Sequence, residues 1–362
     1  MPQLTNDSTL DRIHTIQRKF PDFQVDGIIF SDMSNIRYLS GFTGSDGILV
    51  LDSEGARLLV DGRYTVQAVR EVRQIPVVQY SNKIDGIELA VRDLNLKRIG
   101  FEASLVCVDM HQALTRRLKK SKLVPLADEL RMLRACKDDH ELLIMKKAAA
   151  IASKALAALA KEIRPGWTER EIALQLEMKA RRSGGEQVAF ETIVASGNNA
   201  ALPHARPTNR KIKKGDFVVV DFGVKYQGYC SDETCTFAIG ELTGDQKNAY
   251  RAVLRAHDEA IACIREGTAA ADVDAVVRGA LGDQYSRFFV HGTGHGVGLE
   301  VHEAPRLAPN SQDILKAGMV VTVEPGLYYP GRWGIRIEDT VFVKNNSCEK
   351  ITKMNKKLIA IK

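Results

Sequence analysis

Five side chains able to ligate a metal lie in or beside apolar runs: Asp221 in FVVVDFG, Asp232 in YCSDETCTF, His295 in HGTGHGVGLEVHE, Glu324 in VVTVEPG and Glu338 in GIRIEDT. Such runs predict buried strands, where an unpaired carboxylate is expensive. Four carboxylates carry about four negative charges, and two divalent cations balance them. Carboxylate and imidazole donors suit Mn²⁺, Fe²⁺, Co²⁺ or Zn²⁺ rather than thiolate-loving ions. Two ions about 3.5–4 Å apart acidify a shared water and polarise a carbonyl oxygen. The chemistry expected is hydrolysis, with a metal-bridging hydroxide attacking a planar carbonyl.

Histidines reinforce this. His291, His295 and His302 share one twelve-residue window, and His204 stands in LPHARPTN. His295 is the expected ligand. His204 and His302 suit hydrogen bonding to a substrate carbonyl or a developing oxyanion. HGTGH is not the HExxH of a zincin, and its glycines disfavour the helix that motif needs. The segment also lacks the GK[ST] of a P-loop and the strand and acid of a dinucleotide fingerprint. Gly292, Gly294, Gly296 and Gly298 fit a tight backbone path beside the ligand.

At 362 residues the chain exceeds one ordinary core, and two domains are expected, 1–130 and 131–362. In the first, VDGIIF, DGILVLD, ARLLVD and IPVVQY alternate with helical patterns in RYTVQAVREV and IELAVRDLN, which makes it an α/β or α+β domain. The second opens on a long helix that Asp138 or Asp139 can cap and Pro165-Gly166 can stop. It also contains a repeat. ALAALAKEIRPG resembles AHDEAIACIREG, and each is followed by a threonine able to cap a second helix, Thr168 (with Glu171 completing a capping box) and Thr268. Each half then runs glycine, five residues, acid: G-DFVVV-D at Asp221 and G-MVVTV-E at Glu324. The helix-ending glycine precedes that acid by 55 residues in one half (166 to 221) and 57 in the other (267 to 324). A second acid follows in each half, Asp232 or Glu338. Two such halves packed face to face would bring both acidic hairpins to a pseudo-twofold centre.

Composition argues for an ordinary globular protein, 44% hydrophobic and 27% charged. No run approaches the length of a membrane span, and the polar start MPQLTNDSTLDRIHTIQRKF lacks the pattern of a signal peptide, so a cytoplasmic location is expected. The net charge of +6 is dispersed in small groups such as Arg116, Arg117, Lys119 and Lys120, or Lys211, Lys213 and Lys214. Neither a nucleic acid nor a membrane is an expected partner. The six cysteines show no CxxC pair, and reduced thiols are expected; Cys230 and Cys235 lie close enough in sequence to be a redox candidate.

The segments VVVDFG, SDETCTF, HGTGHGVGLEVHE, VEPGLYYP and IRIEDT resemble, in order, the metal-binding motifs of the pita-bread metallopeptidases, the group that contains methionine aminopeptidases, aminopeptidase P and prolidase. NIRYLSGFTGSDG and LLVDGRYTVQA resemble the creatinase-type domain that precedes the catalytic domain in the proline-specific branch. The implied fold class is α+β: an α/β N-terminal domain and a pita-bread catalytic domain with an internal pseudo-twofold repeat. The resemblance implies that Asp221 chelates one metal, His295 and Glu324 the other, and Asp232 and Glu338 bridge them. It further implies that Glu324 shuttles a proton, His204 and His302 stabilise the tetrahedral intermediate, and His291 and Arg336 line the proline pocket. The cofactor implied is a pair of divalent ions, manganese first, with cobalt, zinc or iron compatible. The activity implied is an Xaa-Pro aminopeptidase on peptides with proline second, with an Xaa-Pro dipeptidase as the alternative and a non-catalytic binding protein as a remote one. A homodimer is also implied. One departure is visible, Cys235 where many relatives carry arginine.

Overall fold

A computed structural model describes residues 6–361; the first residues of the polar start read above lie outside it. The chain divides into two compact units, Met1–Arg134 and Ala135–Lys362. The first holds a mixed sheet of Gly27–Phe30 (β1), Ile48–Asp52 (β2), Ala56–Asp61 (β3), Val77–Tyr80 (β4), Arg98–Glu102 (β5) and Lys122–Leu126 (β6), in the order β4-β3-β2-β1-β5-β6. The first four occupy the expected runs. The last two escape a periodicity reading because RIGFE and KLVPL are short and charged or proline-bearing, as suits an edge such as β6. Ile29, Val50, Leu59 and Ile99 form the core against the helix Lys83–Asp93.

The second unit repeats one motif twice. Helices Asp139–Ala160 and Glu169–Arg182 precede Gln187–Val188 (β7), Ile193–Ser196 (β8), Phe217–Phe222 (β9), Val224–Tyr226 (β10), Tyr229–Cys230 (β11) and Glu233–Ile239 (β12). Helices Gly244–Cys263 and Ala270–Ser286 precede Gly294–Gly296 (β13), Glu303–Leu307 (β14), Val320–Val323 (β15), Gly326–Tyr329 (β16), Trp333–Arg336 (β17), Asp339–Val343 (β18) and Cys348–Lys350 (β19), and Ile359–Ile361 (β20) follows. The sheet orders match: β8-β9-β12 in one half and β13-β15-β18 in the other are consecutive neighbours. Paired glycines take the same left-handed turns, Gly166 and Gly267 (φ 94° and 84°) and Gly215 and Gly318 (φ 88° and 94°). A side chain there would meet the αL penalty, which explains glycine at both copies.

Asp138 caps its helix in a capping box with Glu141, and Thr168 does so with Glu171. Thr268 does not cap. Its hydroxyl donates to Cys263 O at 3.1 Å, and Ala269 holds the cap position without a side-chain bond. Thr168 stands two residues after its glycine and Thr268 only one, so alanine falls where the cap is needed. Cys230 and Cys235 are free, buried thiols, both pushed up to about 12 by desolvation. That leaves little thiolate for the redox chemistry considered above.

Strand alternation directs the acids. In β9, Val218, Val220 and Phe222 pack into the core shared with Leu156 and Leu176, so Asp221 faces the other way. In β12, Cys235, Phe237 and Ile239 join that core, so Thr234 and Thr236 share the face of Asp221. Thr234 is the register partner of Asp221. No helix among the described residues is long and apolar enough to cross a membrane.

Candidate active site

Asp232, His295 and Glu338 each offer a ligand atom within 4.8 Å of the others. His295 Nε2 lies 3.7 Å from Asp232 Oδ2 and 3.5 Å from Glu324 Oε1. Four of the five expected ligands therefore converge. Asp221 lies outside the 4.8 Å group; its Oδ2 accepts from Arg336 Nη2 at 2.5 Å, while its buried Oδ1 has no hydrogen-bond partner.

The two halves meet through hydrogen bonds from β12. Thr234 Oγ1 donates to Glu338 Oε2 at 2.6 Å, and Glu338 N–H donates to Thr234 O at 3.2 Å. In return Thr340 Oγ1 donates to Asp232 O at 2.7 Å. His295 sits on β13 between two glycines of extreme closeness. A Cβ on Gly294 would lie 2.0 Å from Thr322 O, and one on Gly296 2.1 Å from Ala304 O. Close approach, not a left-handed turn, demands glycine here.

His295 Nδ1 lies 3.0 Å from Gly296 O. A carbonyl only accepts, so Nδ1 carries the proton and Nε2 presents its lone pair to the carboxylates. Burial, then the charge of His302, lowers its pKa to about 4, which keeps the ring neutral near pH 7. That is the ligating form of histidine, with the supporting carbonyl that metal-bound histidines require.

The carboxylates show the opposite strain. Desolvation first, then Glu338, Asp221 and Glu324, raises the pKa of Asp232. Desolvation first, then Glu324 and Asp221, raises that of Glu338. Glu324 is pushed up to about 8, mainly by burial, with Asp221 adding and Arg336 opposing. Arg336 is one cation against four acids. The orphaned Asp221 Oδ1, the His295 Nε2 turned toward Asp232 and Glu324, and the uncompensated charge all fit divalent cations held by Asp221, Asp232, His295, Glu324 and Glu338.

This has a measurable consequence for the metal-free protein. Each raised carboxylate holds its proton more tightly folded than unfolded, so stability is full below the usual carboxylate range. It is lost as pH rises through the folded value, about 8 for Glu324. Melts of chelator-treated protein between about pH 5 and about pH 8 should fall more steeply for wild type than for Glu324→Gln. Equal slopes would remove Glu324 from the uncompensated cluster.

The remaining expected residues surround this centre. His291 Nδ1 donates to Gly292 O at 2.8 Å, and its Nε2 lies 2.9 Å from Tyr328 Oη. Burial lowers the His291 pKa to about 4, so Tyr328 donates to Nε2 and accepts from Arg336 Nη1 at 2.8 Å. Arg336 is itself buried and donates further to Pro203 O at 3.2 Å, fixing the chain beside His204. His204 and His302 are exposed, and the His302 ring meets that of His295 edge-on at 4.3 Å. Sequence spacing did not single out Tyr328, Thr234 or the Asp274–Arg278 pair. Asp274 accepts from Thr293 N and Oγ1, and Arg278 donates to His291 O at 2.8 Å, so helix Ala270–Ser286 holds the histidine loop. The i,i+4 spacing of that pair is visible in the sequence, but its target is not.

Residues 144–345 match metallopeptidase family M24, and residues 12–136 match the creatinase/prolidase N-terminal domain. The chain belongs to metallopeptidase family M24. It is 35% identical over 337 residues to an Xaa-Pro dipeptidase of Pyrococcus horikoshii, covering 92% of this chain and 95% of that one. An Xaa-Pro dipeptidase structure from Bacillus anthracis superimposes with TM-score 0.95 at 37% identity, over 98% of this chain and 100% of the other. An X-Pro aminopeptidase from Thermotoga maritima gives TM-score 0.89 at 34% identity, over 96% and 99%. The M24 membership and the pita-bread neighbours bear out the expected fold class and family, and the chain is a metallopeptidase. Divalent metal ions come with that family, and the acid–histidine cluster is their candidate site.

Proposed function

We propose that the chain is a metal-dependent Xaa-Pro peptidase, hydrolysing the bond between an N-terminal residue and the proline that follows. The observation that carries this is the convergence of Asp232, His295 and Glu338 within 4.8 Å, with Glu324 3.5 Å from the same imidazole. Asp221, Asp232, His295, Glu324 and Glu338 are the proposed ligands of two divalent ions, manganese first. Bound there, the ions would acidify a water and polarise the scissile carbonyl.

The protein's own groups have separate tasks in this proposal. Glu324, held near neutrality in its proton affinity, suits receiving a proton from water and giving it to the leaving nitrogen. Exposed and adjacent to the ligand His295, His302 is placed to donate to a developing oxyanion, with His204 beside it. His291 and Arg336, joined through Tyr328, form a rigid wall on the proposed proline side.

The dipeptidase form is favoured by the names of the relatives at 35% and 37% identity. The aminopeptidase form, expected from GFTGSDG and DGRYTVQA, is favoured by the Thermotoga maritima neighbour. Hydrolysis of Xaa-Pro and Xaa-Pro-Yaa peptides after reconstitution with Mn²⁺, Co²⁺ or Zn²⁺ separates them. We expect kcat/KM for the dipeptide to exceed that for the tripeptide by at least about tenfold, a difference of about 1.4 kcal/mol. The reverse preference would establish the aminopeptidase. Inactivity on both with every metal would sink the proposal and restore a binding role on this fold.

A further inference from the structure

In each half of the second unit a strand opens on acid, acid, threonine: Asp232-Glu233-Thr234 at β12 and Glu338-Asp339-Thr340 at β18. The first acid of each triplet faces the candidate site, and the threonines tie the halves together across it. The second acid points to the opposite face, as strand alternation requires. Nothing in the proposed reaction uses Glu233 or Asp339, yet both are buried, at 0% and 2% exposure.

One cation serves them both. Lys356, in the segment before β20, places Nζ 2.6 Å from Glu233 Oε1 and 3.5 Å from Asp339 Oδ1. Its Nζ also lies 3.5 Å from Cys235 Sγ, and its carbonyl accepts from Tyr250 Oη at 2.8 Å. The remaining oxygens are satisfied too. Ser153 Oγ donates to Glu233 Oε2 at 2.5 Å, and Met354 N–H to Oε1 at 3.0 Å. Thr352 Oγ1 donates to Asp339 Oδ1 at 2.7 Å, and Lys350 Nζ stands 3.0 Å from Oδ2.

Lys356 lies outside both copies of the repeat, so its contacts to the two second acids break the symmetry. A buried lysine costs several kcal/mol unless paired, so the arrangement needs both strand ends where they are. Because Asp232 and Glu233 are consecutive, as are Glu338 and Asp339, fixing the second acids fixes the backbone that carries the first.

We propose that Lys356 is a positioning residue for the metal centre, pinning Glu233 and Asp339 from behind and thereby setting the spacing of Asp232 and Glu338. The inference rests on the metal-binding role proposed above. In an apolar or long-range structural role, Lys356 would influence folding but not metal affinity; as a pin it tunes affinity in a folded protein.

The test is Mn²⁺ titration calorimetry of chelator-treated full-length protein, with melting of the metal-free state measured in parallel. Lys356→Met combined with Glu233→Gln removes one charge of each sign, a change buried pairs often tolerate. Glu233→Gln alone is the second variant, and it leaves Lys356 paired with Asp339. The double variant should melt near wild type without metal and Glu233→Gln lower but still cooperatively, and both should bind Mn²⁺ more weakly by on the order of tenfold. Wild-type affinity in either folded variant would overturn the pin while leaving the metal centre standing. Failure of the wild-type protein to take up Mn²⁺ would instead remove the metal centre itself.

Discussion

Glu338→Ala is expected to reduce peptide hydrolysis by roughly a thousandfold or more, beyond the 10²–10³ typical of losing one transition-state hydrogen-bond donor. The fold should survive. Without metal, Glu338 is a buried acid repelled by Glu324 and Asp221, so its removal relieves repulsion rather than breaking an ion pair. Thr234 loses the acceptor of its 2.6 Å bond, a loss of about 1 kcal/mol that offsets part of that relief. The distinguishing signature is thermal. Wild type should gain about 3 kcal/mol from Mn²⁺ at a hundred times its Kd, whereas Glu338→Ala should show most of that gain lost at the same concentration. Turnover within tenfold of wild type, or an unchanged metal-induced shift, would contradict a ligand role. Asp232→Ala should behave alike, since Asp232 shares the same cluster.

His302→Ala is expected to lower kcat by about 10²–10³ with Mn²⁺ content unchanged. Its ring stacks edge-on against His295 but is exposed, and His295 is oriented independently by Gly296 O and by Thr322 Oγ1. Removing His302 therefore takes away a hydrogen-bonding group without disturbing the tautomer of His295. KM should change little if His302 acts on charge that develops only in the transition state. Metal analysis alongside steady-state kinetics checks this. Loss of metal in His302→Ala would make it a ligand, and an unchanged kcat would remove it from the proposed chemistry.

The candidate ligands were legible as buried groups because each ends or adjoins a strand whose alternation is local. Asp221 after FVVV and Glu324 after VVTV are forced to a face by their immediate neighbours. The repeat was legible for the same reason, since glycines at left-handed turns recur at nearly equal spacing in both halves. One residue of offset hides the helix start at Thr268, which is close to a cap position in sequence but one place short of Ala269, where the cap falls. The short strands β5 and β6 carry little pattern of their own and are made by neighbours across the sheet.

The candidate metal-binding set was thus determined by residue type and order: four acids, one pair from each half, and a histidine, embedded in apolar strands. The sequence alone also placed the chain beside the pita-bread peptidases. Only the tertiary structure decided how those groups are held. Arg336 reaches Asp221 across 115 residues, Thr234 reaches Glu338 across 104, and Lys356 reaches Glu233 across 123. No local periodicity encodes such contacts, because they exist only once the two halves close on each other and each buried charge must find its partner.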